Sequence, residues 1–135
     1  QWSFFLPGMA LLLHLLSRNG ANIHNIRLQA EQIFELAPPD AILITSGDPD
    51  IFTLWYFHHV ERQRPDIVLV DNELFAFDWY RHRLEQQYTT LRALEEDNLA
   101  LFETTNQPEH DICQVSFSHE PDENAAIHCS QDSNK

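Results

Sequence analysis

Three aspartates follow two apolar segments of the chain and could bind a ligand together. Asp48 and Asp50 come shortly after segment 41–44, and Asp71 follows segment 67–70. Ligands of open α/β sheets bind at the carboxyl ends of the strands, so these carboxylates are expected along one edge. Such oxygens can bind a divalent cation, but aspartates also cap helix N-termini. We predict that Asp48 or Asp50 first caps the next helix, and that all three aspartates are candidate ligand-binding residues without a metal ion.

Two aromatic clusters form the second group of candidate binding residues. Trp55-Tyr56-Phe57 and Trp79-Tyr80 each place large rings side by side in the sequence. Aromatic faces bury large apolar areas, and they also suit the C–H surfaces of sugars. We predict that Trp55 packs in the core and that Tyr56, Trp79 and Tyr80 are candidate carbohydrate contacts.

No catalytic residue is assigned from the remaining motifs. The eight histidines form no HExxH motif, the chain contains no CxxC, and no serine lies in a GxSxG turn. We therefore predict no catalytic residue, no metal ligand and no cofactor. Cys113 and Cys129 fall in two predicted strands, so they could form a disulfide. Two reduced, buried cysteines are the alternative.

The charge of the chain restricts its partners. The 21 acidic residues outnumber the 8 basic ones and give a net charge of −13. A field of this sign repels phosphate backbones and anionic membrane surfaces. We therefore predict that nucleic acid is not a partner.

The periodicity predicts a small Rossmann-like α/β fold. Segments 41–44 and 67–70 are continuously apolar, as buried parallel strands are, and a helix between them completes a βαβ unit. A further helix is expected from Asp78, with Tyr80, Leu84, Tyr88, Leu91 and Leu94 along one face, either continuous or broken near Thr89-Thr90. Segments 111–117 and 125–130 are expected as the remaining strands. The prediction is a three-layer sandwich with a mainly parallel sheet. The helix after the first strand is expected to bury the face formed by Phe52, Trp55, Tyr56, His59 and Val60.

The first nineteen residues have a different character from the rest. Residues 2–16 are almost entirely apolar but fall short of the roughly 20 residues that span a bilayer. This segment is either a buried helix or the end of a membrane helix. Residues 21–130 are predicted to form the soluble α/β domain, which includes an earlier helix with Ile26, Ala30 and Ile33 on one face. Residues 131–135 are predicted to be a frayed tail.

One stretch of the sequence resembles a known family. It contains Gly47-Asp48, Leu54-Trp55-Tyr56, Arg64-Pro65-Asp66 and Trp79-Tyr80, each next to a predicted strand or helix. This pattern is similar to a large bacterial family of multi-span membrane proteins of unknown function. That family is grouped with GT-C type glycosyltransferases, near the protein O-mannosyltransferases.

The resemblance implies a soluble extracytoplasmic domain that follows the last membrane helices of such a protein. In GT-C type enzymes the catalytic acid lies near the first membrane helices, so the resemblance implies a non-catalytic domain that assists acceptor or donor binding. The implied partners are the membrane-embedded remainder of its own chain and a carbohydrate or lipid-linked sugar. The alternatives are a free-standing small α/β enzyme or a protein-interaction module, using the acidic strand-end edge.

Overall fold

The structure is a computed structural model that describes residues 25–118 and 124–130. The expected apolar helix over residues 1–19 and the expected tail over 131–135 lie outside these residues. No helix within the described ranges is long and apolar enough to cross a bilayer.

The described residues form a mixed, mostly parallel sheet of four strands. They are β1 (Ile42–Thr45), β2 (Val68–Asp71), β3 (Ile112–Ser116) and β4 (Ala126–Ser130). The spatial order is β2-β1-β3-β4, in which β1 pairs in parallel with both β2 and β3, and β4 pairs antiparallel with β3. The predicted α/β fold with a mainly parallel sheet is confirmed.

Helices cover both faces of this sheet. The described part of α1 covers residues 25–36. Helix α2 (Asp48–Trp55) continues into a π-helical turn at Tyr56–Val60. A 3₁₀ turn at Leu74–Ala76 precedes α3 (Asp78–Gln87), and α4 is Leu99–Asn106.

Alternate residues of the strands point into two separate cores. Leu43 of β1 packs in a cluster with Ile33 of α1 and Leu54 of α2. Its neighbours Ile42 and Ile44 pack on the opposite face with side chains of α3 and α4. This alternation follows from the two-residue period of a strand and explains why the strands are apolar throughout.

The buried face of α2 differs from the prediction. Phe52, Tyr56 and Val60 are exposed, and Trp55 is only half-buried. The residues that face the sheet are Ile51, Leu54, Phe57 and His58. Both sets have helical spacing, and the aliphatic Ile51 and Leu54 fit the close approach to β1 and β2. The π-helical turn carries this buried face on to Phe57 and His58.

Two further expectations about helices are corrected. Ile26 of α1 is exposed, whereas Ala30 and Ile33 are buried as predicted. The helix that begins at Asp78 ends close to the break considered near Thr89-Thr90, because Tyr88 takes an extended backbone conformation, so Leu91 and Leu94 do not lie on the face of α3. Those two leucines lie in an irregular segment before α4, yet both are buried.

Arg64 connects the end of α1 to the start of β2. Its guanidinium donates hydrogen bonds to the backbone carbonyls of Phe34, Ala37 and Pro38. It also binds the Asp66 carboxylate through two N–H groups, at 3.0 and 2.8 Å. Carbonyls at a helix C-terminus lack intrahelical partners. A cation at this position therefore supplies hydrogen-bond donors and also interacts favourably with the negative end of the helix dipole.

Arg81 has a similar role under the other face of the sheet. It is buried, and it donates to the carbonyl of Phe75 at 2.6 Å and to that of Leu94 at 3.1 Å. Its guanidinium also pairs with Asp78. These contacts hold the irregular segment before α4 against α3, because each carbonyl would otherwise be buried without a donor.

Candidate functional site

A groove runs along the outer edge of β2, between α2 and α3. It has a volume of about 190 Å³. Its lining combines aromatic rings with a few polar side chains: Trp55, His59, Leu69, Trp79, Tyr80, Arg83, Leu84, Gln87 and Tyr88.

Trp55 forms the wall of the groove on the α2 side. Its half-buried ring packs against both hydrophobic cores, which lie on opposite faces of the sheet. It can touch both cores because β2 is the last strand on this side of the sheet among the described residues. The following π-helical turn places His59 beside it in the groove lining.

Helix α3 forms the opposite wall. Trp79, Arg83 and Gln87 repeat at intervals of four residues, so they lie along one stripe of this helix. Trp79 is 58% exposed, and its ring stacks on Phe77 with centroids 6.4 Å apart. This wall therefore has an open aromatic face at one end and polar groups along the rest.

Tyr80 fixes α3 to β2 beneath the groove. Its hydroxyl oxygen accepts a hydrogen bond from the backbone N–H of Asp71 at 3.0 Å. Burial raises the pKa of Tyr80 to about 12, because the charged phenolate would lose its hydration. Tyr80 thus contributes a buried ring to the floor, whereas Trp79 is accessible.

The charge of the groove differs from that of the chain as a whole. No carboxylate of the described residues lines it, although the chain carries 21 acidic residues. Within the described residues Arg83 has no ion pair, whereas Arg27 and Arg92 pair with glutamates. Partial burial lowers the pKa of His59, and the neighbouring His58 and Arg83 lower it further, so His59 is neutral at pH 7.

The predicted acidic edge is occupied by internal hydrogen bonds. Asp71 accepts from the backbone N–H of Leu74 at 2.7 Å and from the Thr45 hydroxyl at 3.3 Å. Asp50 accepts from the N–H of Phe117 at 3.1 Å, just beyond β3. In the described parts of the chain, no group of three or more His, Cys, Asp or Glu residues could hold a metal ion. Ligand binding by these aspartates stays a prediction.

The turn before α2 differs in one respect from the prediction. The N-cap is Gly47 rather than an aspartate, and its φ of 113° lies in a region that favours glycine. Pro49 does occupy the first helical turn. Asp50 cannot act as the N-cap because it lies three residues further along, where its carboxylate holds the end of β3. The side chain of Asp48 lies outside what the structure describes.

The remaining predicted site residues are placed as follows. Tyr56 is exposed on the π-helical turn but does not line the groove. Cys113 and Cys129 are directly paired across β3 and β4, and a disulfide joins them.

Sequence reasoning missed the polar part of the groove. His59 was assigned to the buried helix face, and Arg83, Gln87 and Tyr88 were not singled out. The four-residue spacing of Trp79, Arg83 and Gln87 was the available signal. This spacing indicates the wall of a groove only when β2 is known to be an edge strand.

Comparison with known proteins identifies the family. The model of the family TMEM260-associated domain 2 matches residues 26–125. The chain belongs to this family. A relative is the mouse "Protein O-mannosyl-transferase TMEM260", which is 39% identical over 51 residues. No solved structure matches the chain.

The match to the mouse protein covers 38% of this chain but only 7% of that relative. The chain thus corresponds to a small part of the relative. The expected relation to O-mannosyltransferase-like proteins is confirmed for the family. The bacterial assignment and the extracytoplasmic position stay predictions.

Proposed function

We propose that this chain is a non-catalytic domain of a membrane-bound, O-mannosyltransferase-like protein, and that it helps to bind the acceptor or the glycosyl donor. The groove along β2 is the binding site in this proposal. The observation that carries it is an accessible aromatic wall next to an arginine, Arg83, that makes no ion pair with any described residue, in a chain of this family.

The composition of the groove supports binding rather than packing alone. Most exposed aromatic residues need no functional explanation, but here Trp79 stands beside Arg83 and His59 at one concave site. Ligand sites commonly combine apolar walls with a few polar groups that orient the ligand. Asp50 and Asp71 already accept hydrogen bonds from backbone N–H groups. The acidic edge therefore has less capacity left to bind a ligand than the groove has.

The relative's printed name supports the reaction class. The mouse protein is named a protein O-mannosyl-transferase, and 51 residues of this chain align with it. A segment of that relative size is more readily an accessory domain than the catalytic machinery. The proposed partner is the remainder of the chain's own membrane protein.

An extracytoplasmic position is part of the proposal. Disulfides persist in oxidising compartments and are rare in the cytosol, and Cys113 and Cys129 form one. Protease protection of a tag placed after residue 135, in sealed membrane vesicles, tests the position. Digestion of the tag from the cytosolic side would contradict it.

The binding role can be tested in the full-length protein by steady-state mannosyl transfer. Trp79→Ala and Arg83→Gln are expected to raise the KM for acceptor or donor by about tenfold, with kcat nearly unchanged, because a remote binding contact acts on ground and transition states alike. Arg62→Gln is the matched control, because Arg62 is exposed, lies outside the groove and carries the same charge. Unchanged KM values in both groove variants, or a loss confined to kcat, would refute the role.

A further inference from the structure

We infer that the groove along β2 is a subsite for one neutral pyranose ring, with the Trp79 indole as its stacking surface and Arg83 as its principal hydrogen-bond donor. The inference deepens the proposed function and rests on it only for the choice of mannose among pyranoses.

The size of the groove sets the size of the ligand. Its volume is about 190 Å³, below the roughly 300–1,000 Å³ of sites for drug-sized molecules. One six-membered sugar ring is of the right order, whereas a folded peptide segment or several sugar rings would extend beyond the groove. The exposed end at Trp79 leaves room for the rest of a glycan or glycopeptide to continue into solvent.

The walls offer two kinds of contact that a pyranose uses together. The accessible Trp79 ring presents an apolar face for axial C–H groups. The indole N–H groups of Trp55 and Trp79 and the guanidinium of Arg83 have no hydrogen-bond partner within the described residues, so these donors are available to hydroxyl oxygens. Neutral His59 adds both a donor and an acceptor. A purely apolar ligand would bury these polar groups without partners, which is costly.

The charge of the groove favours a neutral sugar over a cation or an anion as the ligand. A cation is disfavoured by Arg83 and by a lining that includes no carboxylate from the part of the chain that the structure describes. An anion would meet a single positive charge, since His59 is neutral, inside a chain of net charge −13. A neutral polyol has no such cost and satisfies the same donors.

The test is a titration of the 135-residue chain with methyl α-mannoside, followed by the indole N–H signals in ¹⁵N NMR spectra. The substitution Trp79→Phe assigns the Trp79 signal. We expect saturable shifts of the Trp55 and Trp79 indoles, with a dissociation constant in the millimolar range. Methyl α-glucoside and methyl β-galactoside show whether mannose is preferred, and inorganic phosphate tests for an anion site.

The variants give the decisive comparison. Trp79→Ala and Arg83→Gln are expected to weaken binding at least tenfold, whereas Arg62→Gln should leave it unchanged. Trp79 and Arg83 are exposed, so dispersed spectra are expected from both variants. Absence of a sugar-dependent shift overturns the inference, as does a response to phosphate alone or equal binding by the groove and control variants.

The two proposals can fail separately. If the sugar does not bind but groove variants still raise KM in the full-length protein, the saccharide subsite is wrong and the accessory role stands. If the sugar binds but transfer kinetics are unaffected, the subsite stands and the accessory role is wrong.

Discussion

Replacing Arg64 should destabilise the domain strongly, although its side chain is partly exposed. The Arg64 side chain is 27% exposed, and it donates to three carbonyls at the end of α1 and to the Asp66 carboxylate. Hydrogen bonds with a charged partner are worth about 1.5–3 kcal/mol when buried. At this partial exposure each carbonyl contributes about 1 kcal/mol and the Asp66 pair about 1 kcal/mol more, so Arg64→Ala should lower the free energy of unfolding by about 4 kcal/mol at pH 7.

The chain provides a matched control two residues away. Arg62 is exposed and, like Arg64, has a positive φ, 54° against 45°. Any backbone effect of alanine at positive φ is therefore shared by Arg62→Ala and Arg64→Ala. Arg62 makes no ion pair within the described residues, so its substitution should change stability by less than about 0.5 kcal/mol. Arg64→Lys should lose about 2 kcal/mol, because an ammonium lacks the planar fork of donors.

Urea unfolding followed by circular dichroism measures these differences. The Arg64 contact also predicts a pH dependence, because hydrogen bonding to Arg64 lowers the pKa of Asp66 to about 2 from its usual 3.8. This contribution is fully present above pH 3.8 and is lost as the pH falls towards 2. With Asp66 32% exposed, it amounts to about 1 kcal/mol after solvent screening. Equal stability of the two alanine variants at pH 7 would refute the account.

Four further predictions concern other parts of the domain. The parent should lose about 2 kcal/mol of stability between pH 10 and 12, since burial raises the folded pKa of Tyr80 to about 12 from the usual 10, and Tyr80→Phe, which has no phenol to ionise, should lack this loss; the same pH dependence in urea melts of both proteins would contradict it. Reduction of the disulfide between Cys113 and Cys129, sixteen residues apart, should add two mass units and lower stability by about 3 kcal/mol, and an unchanged mass would show that the thiols are free. Trp55→Ala should cost about 2 kcal/mol in urea melts, because the ring is half-buried, and a loss below about 0.5 would mean that it does not bridge the cores. Asp50→Ala should cost about 1–2 kcal/mol and increase hydrogen exchange at the end of β3, whereas unchanged exchange would place its role elsewhere.

The βαβ unit could be predicted from the sequence because its signals are local. Segments 41–44 and 67–70 each coincide with a strand to within one residue. The prolines after α1 and before β2 limit the helices on either side. Pairing of β1 with β3, and the antiparallel fourth strand, follow from contacts distant in sequence that periodicity does not encode.

The buried face of α2 could not be chosen from spacing alone. Ile51, Leu54 and Phe57 form one apolar stripe, while Phe52, Tyr56 and Val60 form another, and a sheet covers only one of them. The larger aromatic content favoured the wrong stripe. Which side faces the sheet depends on the path between β1 and β2, and that path is a tertiary property.

The candidate site was predictable only in its aromatic part. Trp79 is exposed in the groove, but Tyr80 is needed to hold α3 on β2. Arg81 and Arg83 look alike in the sequence, yet one is buried under backbone carbonyls and the other is free at the groove. Their difference is set by the segment after α3, in which the Leu94 carbonyl accepts a hydrogen bond from Arg81.

The disulfide also fixes the register of β4 against β3, and with it the face of the sheet on which each β4 side chain lies. β4 is partly exposed along its whole length, so burial alone specifies its alignment weakly, and a shift by one residue would invert every side chain. The covalent bond between directly opposed cysteines forbids that shift. In the oxidised protein, the backbone N–H and C=O groups on the outer edge of β4 therefore keep one fixed register. Another strand that added to this edge could pair with them in only one register. After reduction, the same edge could slide and become a site of non-native strand pairing.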